Sequence, residues 1–123
     1  MARREVLIMF RKKDFKIKIG PFNYEVKFVD KIPNDGDKPI NGGSIQSLLA
    51  IRIRDKSSSE FQDFVIVHEI IHAMLINSGL AYRISKKDIL TTEDVASALD
   101  IHLYTFLKDH KVDFTKTTKG IKK

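Results

Sequence analysis

The 123-residue chain is expected to fold as one α+β domain, with a small, mainly antiparallel sheet packed against two long helices. Three patterns predict this class. Short stretches in the first half alternate apolar and charged residues, 61–76 is apolar almost throughout, and apolar residues recur every 3.6 positions between 92 and 110. The chain is long enough for one hydrophobic core, and neither a repeat nor a linker divides 1–123.

The alternating stretches predict an antiparallel β-hairpin followed by a third strand. Apolar residues alternate with lysines over 15–19 and with charged residues over 24–28, and Gly20-Pro21 separates the two runs. A sheet with one face in the core and one in water produces this alternation. A further alternating run over 47–54 predicts a strand directly before the first long helix.

The remaining segments are assigned from composition. Proline, glycine, asparagine and aspartate over 33–39 and 41–43 are typical of loops. The apolar run 5–10 fits a strand or a helix, and periodicity does not decide between them. Scattered charge over 81–90 indicates a connector. The basic stretch 115–123 contains few apolar residues and is expected to be a mobile tail.

The overall composition excludes several classes of protein. The chain contains no cysteine, so disulfides, thiolate metal sites and cysteine nucleophiles are excluded. No apolar run approaches the roughly 20 residues that cross a bilayer. The apolar run 6–10 is too short for the core of a signal peptide. We therefore expect a cytoplasmic protein without a membrane contact.

The net charge of +6 is concentrated at the two ends of the chain. Residues 1–18 contain seven lysines and arginines against two acids, and residues 108–123 contain six against two. A basic excess can mark a nucleic-acid partner. Solvated ends that keep the chain in solution are the simpler interpretation.

The first long helix is predicted over 61–76. Ser57–Ser59 supply N-cap residues, with Gln62 or Asp63 in place for a capping box, and Ser78-Gly79 supply a C-terminal stop. A helix that is apolar almost all round belongs in a core. Charged or imidazole side chains inside it would cost free energy unless they are paired or bound to a metal.

A His-Glu-Ile-Ile-His motif lies within this helix. His68 and His72 stand one turn apart on one face, with Cβ atoms roughly 5–6 Å apart, and can bind the same zinc ion. Glu69 is rotated by about 100°, so its carboxylate can reach a zinc-bound water rather than the metal. Zinc acidifies that water and the carboxylate can take its proton, the chemistry of H-E-x-x-H metalloproteases.

A hydrolytic zinc site requires a third protein ligand. The downstream candidates are Glu93, Asp94, Asp100, His102 and His110. On the second long helix, Glu93 and Asp100 fall within about 20° of each other, on one flank of an apolar stripe that runs from 95 to 107. His102 lies on the other flank of the stripe. One orientation of the helix therefore does not easily direct both His102 and the Glu93–Asp100 flank at the two motif histidines.

With these motifs the chain resembles the gluzincin metallopeptidases, in which H-E-x-x-H is followed further along the chain by a ligating glutamate on a second helix. It is most similar to the short versions encoded by phages and other mobile elements. Those combine a few strands, an HExxHA motif, a glycine-containing connector and a glutamate that opens a helix. Here the matching segments are His68–Ala73, Ser78–Leu80 and Glu93–Leu103, and the resemblance covers residues 15–110.

The resemblance implies a zincin-like fold and a zinc metalloendopeptidase that acts on a protein or peptide. It implies that His68, His72 and Glu93 bind Zn²⁺ and that Glu69 is the general base. In larger gluzincins an acid one turn after the ligand glutamate supports a ligand histidine, whereas position 97 here is serine.

The sequence does not decide two further roles, the support of a ligand histidine and the stabilisation of the oxyanion. Asp100 can support a ligand histidine through the Nδ1 atom of His68 or of His72. The group that stabilises the oxyanion is one of four side chains that the sequence does not rank: Tyr82, Arg83, His102 and Tyr104.

The position at which a substrate binds and the biological role of the site also stay open. A peptide could add as a strand beside 47–54. One alternative is a DNA-associated protease, tethered to DNA by its basic ends. A second alternative, from another class, is a binding or inhibitor protein of phage type that retains the zinc site as structure. Neither cleavage preference nor oligomeric state is predicted.

Overall fold

Five strands and three helices make up the described part of the chain, which comprises residues 8–30, 42–45, 49–87, 91–116 and 118–120 of the computed structural model. In chain order they are β1 (Phe15–Ile19), β2 (Phe22–Val29), β3 (Gly42–Ile45), β4 (Ala50–Arg54), α1 (Ser59–Asn77), α2 (Leu80–Lys87), α3 (Thr92–Asp109) and β5 (Lys119–Gly120). The strands form one sheet in the order β3-β4-β2-β1-β5, with only the β2–β4 pair parallel. The predicted α+β class is confirmed.

The helices are layered on one face of this sheet. α1 packs against β1, β3 and β4, and α3 packs mainly against α1, with α2 beside both helices. The hydrophobic core therefore lies between the sheet and α1. No helix among the described residues combines the length and the apolar composition of a membrane span.

The predicted hairpin is confirmed in strands β1 and β2. Phe15 pairs with Val26 and Ile19 with Phe22 in antiparallel register. Gly20 adopts φ +59° in the connecting turn, a conformation that favours glycine. Phe15 and Val26 are completely buried on the helix side, so the alternation along the sequence reports the two faces correctly.

The predicted third strand is present as β4, between β2 and β3. Residues 46–48, at the start of the predicted run, lie outside the described residues, as does the predicted loop 33–39. The expected loop at 41–43 is wrong for Gly42 and Gly43, which pair with Ile53 and Arg52. Glycine is a weak strand former, and here the pairing with β4 overrides that preference.

The predicted ends of the first long helix are confirmed, whereas the predicted capping box is wrong. Ser58 is the N-cap of α1, and its hydroxyl accepts a hydrogen bond from the Phe61 amide at 3.3 Å. Ser78 is the C-cap, followed by Gly79 at φ +79°. Gln62 instead donates from its side-chain amide to the carbonyls at 54 and 55, which ties the helix to the end of β4.

Asp63, the other candidate for the capping box, holds the N-terminal segment against α1. The amides of Met9 and Phe10 donate to its carboxylate at 3.0 and 3.2 Å, and the Lys12 ammonium also contacts it. Asp63 is 2% exposed, and these three partners offset the cost of burying its charge. Residues 8–10, the described part of the apolar run, form neither strand nor helix.

The C-terminal segment packs against the same N-terminal segment. The Phe114 amide donates to the Met9 carbonyl at 2.8 Å, and the Phe114 ring stacks on Phe10 with centroids 5.0 Å apart. Thr118 is buried, and β5 extends the sheet beside β1. The expected mobile tail is therefore wrong for 118–120, because backbone pairing at a sheet edge requires no apolar side chains.

The two later helices differ from expectation in extent and in orientation. The predicted connector 81–90 is helical as far as Lys87. It contains no glycine or proline that would oppose a helix. α3 is confirmed, but Leu99 and Phe106 of its expected apolar stripe are 49% and 56% exposed, whereas Ala96 and Asp100 are buried. α3 is thus rotated so that its Glu93–Asp100 flank faces α1.

Candidate metal centre

α1 presents two histidines to one point in space. The Nε2 atoms of His68 and His72 lie 3.2 Å apart, and the two rings meet edge to face. Their side chains are 17% and 14% exposed. The residues before them, Ile66 and Val67, are buried in the core, which fixes the rotation of the helix. The two imidazoles are therefore directed by the packing of α1 on the sheet.

α3 brings a carboxylate from a separate part of the chain to these rings. Thr91 caps α3 through a capping box, in which the Asp94 amide donates to the Thr91 hydroxyl at 3.0 Å and the Thr91 amide to the Asp94 carboxylate at 2.8 Å. Glu93 lies in the first turn. Its Oε2 atom is 2.8 Å from Nε2 of His72 and 3.3 Å from Nε2 of His68.

The separations among these three side chains fit a metal ion. Each residue offers one ligand atom, and the three atoms lie within 4.8 Å of one another. Ligands about 2.0–2.1 Å from a tetrahedral zinc lie roughly 3.3 Å from each other. The observed separations of 2.8, 3.2 and 3.3 Å are close to that value. The geometry and the donor types therefore allow His68, His72 and Glu93 to hold a metal together.

Asp100 orients one of the two histidines. Its Oδ2 atom lies 2.9 Å from Nδ1 of His68, one of the two contacts that the sequence left open. A carboxylate only accepts, so Nδ1 carries the proton and the neutral ring keeps a lone pair on Nε2, directed at the cluster. Asp100 is 7% exposed, and the hydrogen bond compensates its burial.

The cluster also favours positive charge. Burial disfavours the charged form of His68, but the hydrogen bond to Asp100 and the nearby Glu93 and Glu69 carboxylates outweigh it and raise its pKa above the ordinary value. Burial alone would raise the pKa of Glu93. The hydrogen bond to His72 and the charge of His68 outweigh that effect and lower it instead. The site thus stabilises a cation beside Glu93, whether that cation is an imidazolium or a metal.

Ser97 is a site residue that the sequence reasoning missed. It stands one turn after Glu93 on α3, and its hydroxyl donates to Oε1 of Glu93 at 3.1 Å. The bond restrains the rotamer of Glu93, whose Oε2 is nearest to His72 and whose Oε1 lies 3.1 Å from Nε2 of His68. Residues four apart on a helix are neighbours, so the spacing of Glu93 and Ser97 is the signal in the sequence that could have indicated this contact.

Glu69 is buried on α1 directly beside the cluster. It is 5% exposed, and its charge contributes to the raised pKa of His68. It follows His68 in sequence and is rotated from it by about 100° around the helix axis. Its charge therefore acts on His68, but it does not belong to the three-residue ligand group.

The two remaining histidines lie outside the cluster. His102 is exposed on α3, two residues past Asp100 and thus about 200° round the helix from it. His110 is the C-cap of α3, and its Nδ1 lies 2.8 Å from the Phe106 carbonyl. The structure therefore does not bring together His102 and the two motif histidines.

The structure locates the other candidates for oxyanion stabilisation on α2 and α3. The Tyr104 hydroxyl lies 3.5 Å from the Glu60 carbonyl at the start of α1, and its ring packs edge-on against Phe64. Tyr82 is 65% exposed, and Arg83 is also exposed on α2. Tyr104 thus packs against the part of α1 that precedes His68, and none of Tyr82, Arg83 and Tyr104 is identified as the stabilising group.

Loss of the Ser97 hydroxyl is expected to weaken metal binding by about 10- to 100-fold, the usual effect of removing a contact that orients a ligand. Ser97→Ala leaves Glu93 in place but removes the bond that sets its rotamer. Thr105→Ala, an exposed hydroxyl on the same helix, is the control and should bind metal like the unmodified chain. Zinc titration against a chromophoric chelator measures both. Equal affinity for the Ser97→Ala variant would show that this bond does not orient Glu93.

Comparison of the chain with protein-family models, with curated proteins and with solved structures gave no match.

Proposed function

We propose that the chain is a zinc-dependent metallopeptidase of gluzincin type. The supporting observation is the convergence of three ligand atoms from two helices, two of them on a His-Glu-x-x-His motif, with Asp100 hydrogen-bonded behind His68. A chance cluster of two histidines and a glutamate does not require an orienting carboxylate on the far side of one ring. Metal-ligating histidines have such a partner almost always.

The donor set favours zinc in an open, catalytic arrangement. Two imidazoles and one carboxylate form a set used by hydrolytic zinc, and three protein ligands leave a fourth position for a substrate or water. The Glu93 side chain is 63% exposed, so the cluster is accessible from solvent on that side. Zinc held there would supply a water of lowered pKa and a Lewis acid for a substrate carbonyl.

The chain's own residues supply the proton transfers and the positioning. The Glu69 carboxylate accepts the proton of the attacking water and can deliver it to the departing amine nitrogen. Asp100 keeps the proton on Nδ1 of His68, so that Nε2 remains a ligand. Ser97 and the capping box at Thr91 hold Glu93 at the opening of α3.

The expected place for a peptide beside 47–54 is wrong. β4 pairs with β2 on one side and with β3 on the other, so neither of its edges can accept another strand. Within the described sheet, β3 is the edge strand on that side, and α1 packs against it. A peptide substrate that binds by strand addition would therefore pair with Gly42–Ile45.

Metal analysis tests this proposal directly. After reconstitution with zinc at pH 7 and removal of excess, the protein should contain about one zinc per chain. His68→Ala and His72→Ala should each lose the metal and unfold at a lower temperature, because the free energy of metal binding adds to that of folding. His110→Ala is the matched control and should keep its zinc. Substoichiometric zinc in the unmodified protein would refute the proposal.

A further inference from the structure

The face of the sheet that points away from α1 is basic. Successive strand residues point to opposite faces. The buried positions of the three strands on the helix side are Phe15, Ile19, Tyr24, Val26, Ile51 and Ile53. The other positions carry five cations: Lys16, Lys18, Lys27, Arg52 and Arg54. Glu25 is the one acid at these positions of the three strands. We call this surface the basic sheet face.

The register places like charges beside each other on the basic sheet face. Lys27 lies opposite Arg52 in the parallel β2–β4 pair, on strands about 4.8 Å apart. Like charges that face each other across strands are destabilising. Glu25 lies 3.5 Å from Lys27 and opposite Lys16, so one carboxylate serves several cations. The excess positive charge would be relieved by an anion bound on this face.

No described helix covers the basic sheet face, because α1 packs on the opposite side and α2 and α3 pack on α1. Lys16, Lys18 and Lys27 are exposed, and Arg52 and Arg54 are partly exposed. Among the residues of this face in β1, β2 and β4 that are at least partly exposed, Val29 is the one apolar side chain. Membrane surfaces are bound by basic groups together with inserted apolar ones, so the composition favours a polyanion in water over a lipid surface.

A cleft with three cations and two acids in its lining lies at the end of the sheet where β1 begins and where β2 and β4 end. It has a volume of about 570 Å³ and is lined by Arg11, Lys12, Lys13, Asp14, Phe28, Asp55 and Gly120. Two of these charges have structural partners. The Lys12 ammonium contacts Asp63, and the Asp14 carboxylate accepts the Phe28 amide at 2.9 Å.

Arg11 is held in position at the cleft. Its Nη1 donates to the Thr118 carbonyl at 3.3 Å. Its guanidinium lies so close to Gly120 that a Cβ there would be 2.9 Å from Nη2. A guanidinium fixed in this way loses little further freedom when it binds a phosphate, whose geometry it matches. The cleft therefore adds a preorganised arginine to the array of cations on the sheet.

We propose that the basic sheet face and the adjoining cleft bind the phosphate backbone of a nucleic acid. The cations lie in rows on the strands, and a phosphate backbone presents charge to such rows whatever its base sequence. Binding should thus be independent of sequence and strongly dependent on salt. The proposal is independent of the metal centre, which lies on the opposite side of the sheet, beyond the core.

The test measures binding of a fluorescein-labelled DNA duplex, and of one of its single strands, by anisotropy at about 50 and 200 mM salt. The unmodified chain should bind at the lower salt and lose affinity steeply at the higher. Lys16→Gln/Lys18→Gln removes two exposed charges from the basic sheet face. It should weaken binding at least about 10-fold and reduce the slope of log affinity against log salt by about 2.

The control Arg83→Gln/Lys108→Gln makes the same change in net charge on the helical side of the molecule. It should bind nucleic acid like the unmodified chain. Equal losses in the two double variants would mean that only total charge matters, and absence of binding at about 50 mM salt would also overturn the proposal. Tight binding to anionic vesicles without binding to DNA would assign the face to lipid instead. Glu69→Gln should bind DNA normally, so a failed metallopeptidase proposal leaves this result intact.

Discussion

Replacing Glu93 with alanine is expected to weaken zinc binding by more than the roughly 10- to 100-fold that loss of an orienting contact causes, because a ligand itself is removed. His102→Ala should leave the affinity unchanged. The expectation follows from position: Oε2 of Glu93 lies 2.8 Å from Nε2 of His72, whereas His102 is exposed on another side of α3. Titration against a chelator of known affinity measures both variants, and circular dichroism checks that each is folded.

The comparison of Glu93 with His102 also tests the orientation of α3. If His102→Ala lost zinc and Glu93→Ala retained it, α3 would be rotated, and the Asp100–His68 hydrogen bond could not exist as described. The resemblance to gluzincins would then be misleading. A double variant, Glu93→Ala with Ser97→Ala, should be no weaker in zinc binding than Glu93→Ala alone, since Ser97 acts through Glu93.

Glu69→Gln is expected to lower peptidase turnover at least about 10²-fold while the protein keeps its zinc and its fold. Glutamine preserves the volume of the buried side chain but cannot accept the proton of the attacking water. Casein-type substrates and self-cleavage are suitable first assays, with zinc content measured on the same samples. Gln62→Glu is not a suitable control, because it would remove the hydrogen bonds that the Gln62 amide donates to the carbonyls at the end of β4. Glu60→Gln, on the exposed first turn, is the better one.

Two results would contradict a catalytic role for Glu69. Unfolding or loss of zinc in Glu69→Gln would make the residue structural. Full turnover on a genuine substrate would make the proposed hydrolysis wrong. If instead the unmodified chain acts in a biological assay and Glu69→Gln acts equally well, the alternative of a binding or inhibitor protein with a structural zinc site becomes the better account.

The elements that the sequence predicts correctly are those with a local signal. Strands β1 and β2 alternate between core and water, and α1 and α3 have caps at Ser58 and Thr91. β3 and β5 carry no such pattern. Gly42 and Gly120 are strand residues only because a neighbouring strand pairs with them. α2 is not predicted because it is only eight residues long, and apolar positions such as Leu80 and Ile84 are too few to distinguish a helix from a connector.

The candidate site was predictable to the extent that helical geometry determines it. The spacing of His68 and His72 predicts two members of the group, whereas Glu93 is selected among the downstream candidates by the resemblance to gluzincins; the structure brings the three together. The rotation of α3 about its axis is not predicted correctly, because Leu99 and Phe106 belong to the apolar stripe of the sequence but are exposed in the structure. Ser97 and its hydrogen bond depend on a rotamer of Glu93, which the sequence does not specify.

The two-residue strand β5 has a consequence for the behaviour of the chain in concentrated solution. It covers part of the edge of β1, which would otherwise present unpaired amides and carbonyls to other molecules. A protein shortened before Thr118 would lose this cover and also the carbonyl that binds Arg11. The charges of Lys16 and Lys18 would then be what opposes pairing of a second copy with the β1 edge, since charged side chains on an edge strand disfavour such pairing. Shortened forms should therefore self-associate through β1, most readily at salt concentrations that screen the two lysines.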